Sequence, residues 1–404
     1  MELATVYPVL VAGRLLLALA PLPDALQHDH QLTSPLTSYP RLQEGVFLYK
    51  QGVNPYSGGI FRHSPLLLSL FATVLPLNRL TSALLWTACD ALAAWALVRI
   101  WRSRQNVPRS SRDTLVAAAY LLNPYIFMPS LAFSSATLEN MLFMLSVMFA
   151  SQGQSSAALL SLAFLSQLSF TSLLFTLPVT LLLLTNPVSH LAIPRKFPAD
   201  VRRVVPLFAE FLAYFTVLTF ASTLVCGGWS WVEQSWGSVF MLPDLTPNPG
   251  LWWYFFTEMF DHFRPFFLMV FSVHLLIYVV PLCLKFQHDI LYVIYLLTGI
   301  LGTFKPYPTL ADVGLFLSLT ALFPETYPYL RQPIVTTLLH LHSALLLPLF
   351  HHLWLAQGTG NANFFYASTL VFGMANGSAV LDAAWAGMRI AIGKVPDEYE
   401  VLQQ

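Results

Sequence analysis

Apolar runs recur along this chain at roughly 3–20, 80–100, 114–132, 136–151, 156–170, 171–186, 204–226, 264–284, 290–303, 311–324, 333–355 and 364–390. Crossing the hydrocarbon of a bilayer takes about twenty apolar residues, fewer where a segment is tilted or sheltered. A soluble fold has no use for so many runs. Of the 404 residues 56% are apolar and 10% charged, against about a quarter charged in soluble domains. In water such a surface would adhere to its neighbours. In lipid it is well solvated, and backbone groups bond internally only if the spans are helices. The expected fold is an all-α polytopic membrane protein with about 12 transmembrane helices, forming a single membrane domain over 1–404.

Several of the runs are short, and Pro124, Pro129 and Pro178 interrupt two stretches. Such breaks are tolerable where other helices or a cavity cover the freed backbone. Segment 62–77 is too short to cross and reads as an interfacial helix. Arg102, Arg104, Arg109 and Arg112 crowd the 101–113 loop, and Arg195, Lys196, Arg202 and Arg203 the 187–203 loop. The positive-inside bias puts both loops in the cytosol. Loop 227–263 has no Lys or Arg, so it faces the other way. Loops 21–79, 304–310 and 356–363 share its side, interfacial helices lie in the first loop and in 227–263, and both termini are cytosolic. Glu2, the absence of a basic start and Arg14 inside the first run favour a retained span over a cleaved signal. An ionised group at the bilayer centre costs ~2.5–3.5 kcal/mol on insertion scales. Arg14, Asp90 and Glu210 should therefore face the bundle interior and find partners.

Several chemistries fit poorly. Zero net charge gives no case for nucleic acid. Cys89, Cys226 and Cys283 lie in or beside separate spans, without a metal or disulfide pattern. His28-Asp29-His30 offers two imidazoles without further ligands. His340 and His351 share a helical face but stand ~16 Å apart, so hydrogen bonding between helices suits them better than a metal. Cys226 and His262 are the only conceivable nucleophile and base, and nothing positions them together. The sequon at Asn376 falls inside the last span. No catalytic residue, metal or cofactor is expected.

The polar chemistry gathers in three segments of the basic-poor side. PDLTPNPGLWWYFFTEMFDHF (243–263) begins with turn-formers that forbid a regular helix. Its Trp252, Trp253 and Tyr254 join apolar rings to polar handles, which suits a headgroup layer. Asp244 and Asn248 belong to the same block. In GTGNANFFYA, the amides of Asn361 and Asn363 can donate to and accept from phosphates and hydroxyls. Phe364, Phe365 and Tyr366 then anchor the return into the membrane. FKPYPTLAD places Lys305, Tyr307 and Asp312 on that side, with Lys305 a candidate phosphate contact. Asn361, Asn363, Phe364, Tyr366, Trp252, Trp253, Tyr254, Asp244, Asn248, Lys305 and Tyr307 form the candidate substrate-binding set.

With these segments the chain resembles the PIG-U family, a membrane subunit of the GPI transamidase of the endoplasmic reticulum. The resemblance is carried in order by SPLTSYPRLQEG (34–45), GVNPYSG (52–58), SPLL (64–67), YLLNPY (120–125), the 243–263 block, KPYPTLADV (305–313) and NANFFYA (361–367). It implies a multi-pass protein of that membrane that binds the GPI lipid. It also implies partner subunits: a cysteine protease-like catalytic chain, PIG-T, PIG-S and a Gaa-type subunit. More distantly the chain is similar to GT-C mannosyltransferases, which need an acidic residue early in the first loop. That position falls near Leu36 to Ser38, where no carboxylate stands. The resemblance thus implies a glycosyltransferase-like scaffold that handles lipid and glycan without the chemistry, with an active lipid-linked mannosyltransferase as the alternative.

Overall fold

A computed structural model describes residues 3–197, 200–396, 398–399 and 401 of the chain. Among them there are helices and connecting turns and no strand. Each of the twelve apolar runs is helical. Five helices are long and apolar enough to cross a membrane alone: Arg79–Gln105, Val204–Cys226, Arg264–Lys285, Pro333–Leu355 and Ala362–Ile392. Asp113–Leu121 and Pro124–Leu131 make a sixth crossing if taken together, bent by 50°. The remaining runs are shorter, among them Leu3–Leu19, Ala136–Ser151, Ser155–Leu168, Phe170–Leu183, Ile290–Phe304 and Leu310–Leu322. Segment 62–77 contains the short helix Pro65–Val74.

Length and position are related. Every residue from Ile290 to Thr303 is buried, so this helix, apolar on all sides, lies within the bundle. Its neighbours are Leu310–Leu319 and Ala362–Ile392. By contrast only 6% of the Val204–Cys226 window is buried, against 61% for Arg79–Gln105. The short helices thus include a fully enclosed one, where protein supplies the apolar solvent. Val204–Cys226 lies on the outside of the bundle.

The bend at Asn123-Pro124 is chemically complete. Proline cannot continue the hydrogen-bond ladder, and the Asn123 side chain takes over. Its Oδ1 accepts from the Tyr125 amide at 3.0 Å, while its Nδ2 donates to Gly314 O and Ser318 Oγ, both at 3.0 Å. The break is thereby tied to the 310–319 helix.

The intramembrane charges have partners. Arg14 and Asp90 form a buried ion pair between the first and second runs. Arg14 Nε also donates to Leu121 O at 2.9 Å, just before the bend, and Ser130 Oγ donates to Asp90 at 2.5 Å just after it. Glu210, half-buried, accepts from Ser156 Oγ at 2.6 Å and Tyr214 Oη at 3.1 Å. Removing one member of a buried pair strands the other, at a cost of about 3–5 kcal/mol. Asp90→Ala should therefore lower the melting temperature sharply in detergent. The double variant Arg14→Leu with Asp90→Leu should recover much of the loss, a contrast that thermal unfolding of the purified chain reads directly.

Candidate functional site

The three polar segments singled out in the sequence meet on one face of the bundle. Pro243 to Pro249 runs without regular structure, as prolines at 243, 247 and 249 demand. It is held by its own side chains. Asn248 Oδ1 accepts from the Gly250 amide at 2.8 Å, and Asn248 Nδ2 donates to Thr246 O at 2.9 Å. Gly250 sits against Pro308, so close that a Cβ would lie 2.7 Å from the proline ring. A short helix, Trp252–Thr257, follows.

This block is stitched to the other two. The Asp244 amide donates to Tyr307 Oη at 3.2 Å, and Trp252 Nε1 donates to Phe304 O at 2.8 Å. Tyr366 Oη donates to Leu251 O at 3.2 Å, and Tyr254 Oη donates to Asn363 Oδ1. Trp253 is 3% exposed and packs against Tyr254, Trp354, Phe365 and Tyr366. Its ring fills the seam between the block and the last two helices. Trp252 stacks on Phe271, with centroids 4.2 Å apart. Asn361 caps the last helix by accepting from the Phe364 amide at 3.2 Å, the usual duty of a residue there. Phe364 is exposed and stacks on Phe350. Asn361, Asn363 and Glu258 are exposed on this face, and Tyr254 is half-buried beside them.

Lys305 is enclosed. Its ammonium lies 3.0 Å from Asp312 and 3.4 Å from Glu139. Burial pulls its pKa down, but the carboxylates of Asp312 and Glu139 outweigh it and hold the lysine above its ordinary value. Asp312 also closes a capping box with Thr309 at the start of the 310–319 helix. A cleft of about 20 Å³, room for one water, lies beside Lys305 and Glu139, with Leu36, Thr37, Trp236 and Tyr307 on its walls.

The first loop completes the face. The Leu310 amide donates to Gln31 O at 2.9 Å, and Arg41 pairs with Asp244 at 2.9 Å. Burial would raise the Asp244 pKa; bonds from Thr246 and Arg41 overcome it and hold the carboxyl below its usual range. An open cavity of about 300 Å³ is lined by His28, His30, Ser34, Arg41 and Thr246. His30 packs edge-on against His351 across the seam. No group of three or more His, Cys, Asp or Glu suited to a metal occurs among the described residues. In the 333–351 helix His340 bonds Asn376 of the last helix at 3.1 Å, an interhelical contact.

Arg41 and Glu139 were not singled out by sequence, and His30 only within the His28-Asp29-His30 tripeptide weighed as a metal site. Glu139 had a readable signal, since an acid inside an apolar run demands a partner just as Asp90 does. Arg41 and Asp244 are 203 positions apart, and no local pattern announces such a pairing.

These features define a polytopic helical membrane protein with a polar, aromatic surface assembled from four separated segments. The sequence profile of the family described as GPI transamidase subunit PIG-U matches residues 8–372. The chain belongs to that family. It is 32% identical over 370 residues to the GPI transamidase component GAB1 of Saccharomyces cerevisiae, covering 91% of this chain and 90% of that protein. Its identity to the GPI-anchor transamidase component PIGU of Homo sapiens is 30%, over 96% and 94% of the two chains. The GAB1 homolog of Schizosaccharomyces pombe is 30% identical, over 87% of this chain and 85% of that one.

Beneath this face His63 is buried, and its Nε2 bonds Ser38 O at 2.8 Å. Burial pushes its pKa down to about 4, so the folded loop disfavours the proton that the unfolded chain accepts below its ordinary value of about 6.5. The contribution is intact above about pH 6.5 and is lost as pH falls towards 4, by about 2 kcal/mol at pH 5. Melting curves at pH 7 and pH 5 should show this loss, and His63→Gln should shrink the difference.

Proposed function

We propose that the chain is a non-catalytic subunit of the GPI transamidase that binds the glycosylphosphatidylinositol lipid and presents it for attachment to protein C-termini. Its place is the endoplasmic reticulum membrane, crossed twelve times, with both termini cytosolic and the aromatic face in the lumen. The cysteine protease-like chain, PIG-T, PIG-S and the Gaa-type subunit are its partners in the complex. Family membership supports the assembly. The observation that carries the binding role is the convergence of 243–258, 304–310, 361–366 and the first loop on one surface.

The state of three buried or half-buried acids beneath that surface supports the non-catalytic part. Asp244 is held by Arg41 and Thr246, and Asp312 by Lys305 and Thr309. Glu139 is held by Lys305. A general base must be free to take a proton from substrate. At the position where a mannosyltransferase would need its acid, Leu36 and Thr37 form the wall of the cleft beside Lys305. In this reading Asn363, Tyr254 and Phe364 meet the glycan and phosphoethanolamine part of the anchor. The open cavity at His30 and Arg41 extends that surface. Asp244, Asn248, Tyr307, Trp252, Trp253 and Tyr366 hold it in shape, while Asn361 and Lys305 fix its edges.

Asn363→Ala should weaken retention of GPI by the purified complex about fivefold, the worth of one hydrogen bond. Surface display of GPI-anchored proteins should fall while subunits still co-purify. Normal display with Asn363→Ala would make that turn structural only. Trp253→Ala should loosen the Trp252–Thr257 helix and cut GPI retention more than assembly; the reverse order would assign the block to subunit packing. Transfer of mannose from a dolichol-linked donor by the isolated chain would overturn the non-catalytic reading.

A further inference from the structure

Along the Pro333–Leu355 helix the exposed residues Leu338, Leu341, Leu345 and Leu349 follow one another at intervals of three and four positions. That spacing makes a single stripe on one side of a helix. His342 lies in the stripe and is exposed as well. By helical rise it stands about 14 Å from Pro333 and about 20 Å from Leu355. A bilayer crossed by this helix therefore has its centre near the ring.

Two residues earlier, His340 points into the bundle and is buried. Its Nδ1 donates to Thr336 O at 2.8 Å, and its Nε2 meets the side-chain amide of Asn376 at 3.1 Å. His342 has the first kind of bond without the second. Its Nδ1 lies 2.6 Å from Leu338 O. A carbonyl oxygen can only accept, so Nδ1 carries the proton and Nε2 of the neutral ring is an acceptor. No donor reaches Nε2 among the described residues.

An acceptor without a donor is costly in hydrocarbon, and ionisable side chains at that depth almost always face protein or water. Acyl chains bring no donor. Headgroups lie about 15 Å away, at the edge of a hydrocarbon layer about 30 Å thick. A second copy laid face to face would oppose one Nε2 acceptor to another. A helix of a different protein meets the need when it carries a hydroxyl, an amide or an indole N–H. The chain belongs to a family of GPI transamidase subunits, so assembly brings other chains alongside it.

We propose that the stripe of Leu338, Leu341, His342, Leu345 and Leu349 docks a membrane-spanning helix of another transamidase subunit, and that this helix donates a neutral hydrogen bond to His342 Nε2. The leucines pack against the incoming helix. The imidazole sets its depth, since a slide of one turn, about 5 Å, breaks the bond. This docking rests on the chain working as one subunit among several, and it is independent of GPI binding at the aromatic face.

The test uses the assembled complex with a photo-cross-linking residue in the stripe, His342→benzoylphenylalanine. Irradiation should join position 342 to a membrane-spanning segment of another subunit, within one turn of a Ser, Thr, Asn, Gln, Tyr or Trp. Cross-links found only on lipid, on a second copy of this chain, or on segments outside the membrane would each overturn the docking. A cross-linked helix without such a donor would overturn the hydrogen bond. In a second arm, His342→Leu should lower retention of the cross-linked subunit about threefold to tenfold on detergent washing, the worth of one bond between membrane helices. His342→Gln, whose side-chain carbonyl still accepts, should restore most of that loss. Undiminished retention in His342→Leu would also overturn the bond. Both variants should melt with the isolated wild-type chain, because the ring bonds only its own helix. The cross-link decides the docking even if a variant fails to fold.

Discussion

Asp90 and Arg14 set the terms for the rest of the bundle. Each charge alone would be expelled from an apolar interior, so the pair joins two helices that are otherwise far apart in sequence. Arg14 also reaches the carbonyl of Leu121, and Ser130 reaches Asp90. The same cluster therefore grips both halves of the broken third run. Asn123 grips it from the other side, through Gly314 and Ser318. Five segments are positioned by two small polar knots. Hydrophobic packing holds the helices close, but these directional bonds decide which helix lies against which.

A helix that bends, and turns rich in proline and aromatics, would be liabilities in a simple bundle. Here they make the aromatic face possible. Proline denies the 243–249 stretch a regular helix, so side chains meet its backbone: Tyr307 Oη accepts from the Asp244 amide, Asp244 Oδ1 accepts from the Thr246 amide, and Asn248 Nδ2 donates to Thr246 O. Those bonds fold the stretch back over the 304–310 turn. Trp253 then fills the seam against Trp354 and Phe365. The result is a surface whose scaffold is aromatic and whose outward groups include an amide and a phenol beside the exposed Glu258. Neutral donors and acceptors suit sugar hydroxyls, which carry no charge to pair.

How much of this was visible in the sequence follows from the range of each signal. Apolar runs and proline breaks are local, and the helices fall where these place them, down to the break at Pro124 and the short helix within 62–77. That Arg14 and Asp90 need partners was legible from cost alone; that they are each other's partner was not. Lys305 shows the limit. In KPYPTLAD it reads as a cation free for a phosphate, with Asp312 seven positions on. The fold brings Glu139 from 166 positions away to the same ammonium, and the lysine becomes a structural post. Trp253 reads as an interfacial ring from its neighbours in sequence, but Phe365 and Trp354 cover it in space. Asn361 and Asn363 look alike in the string NAN. One faces the helix amides as a cap and the other faces outward, a difference set by helix phase.

The central helix gives the architecture its depth. Ile290–Phe304 has 15 residues, about 22 Å of rise, and each end is marked by charge. At its start Asp289 binds Arg104, which also meets Glu325 at 2.7 Å and lies over the Phe323 ring. At its end Lys305 binds Asp312 and Glu139. The hydrocarbon layer is about 30 Å thick, so two clusters separated by about 22 Å do not both reach its boundaries. At least one of them is recessed within the depth that the longer outer helices cover. Charges at that depth survive only because each is paired and enclosed.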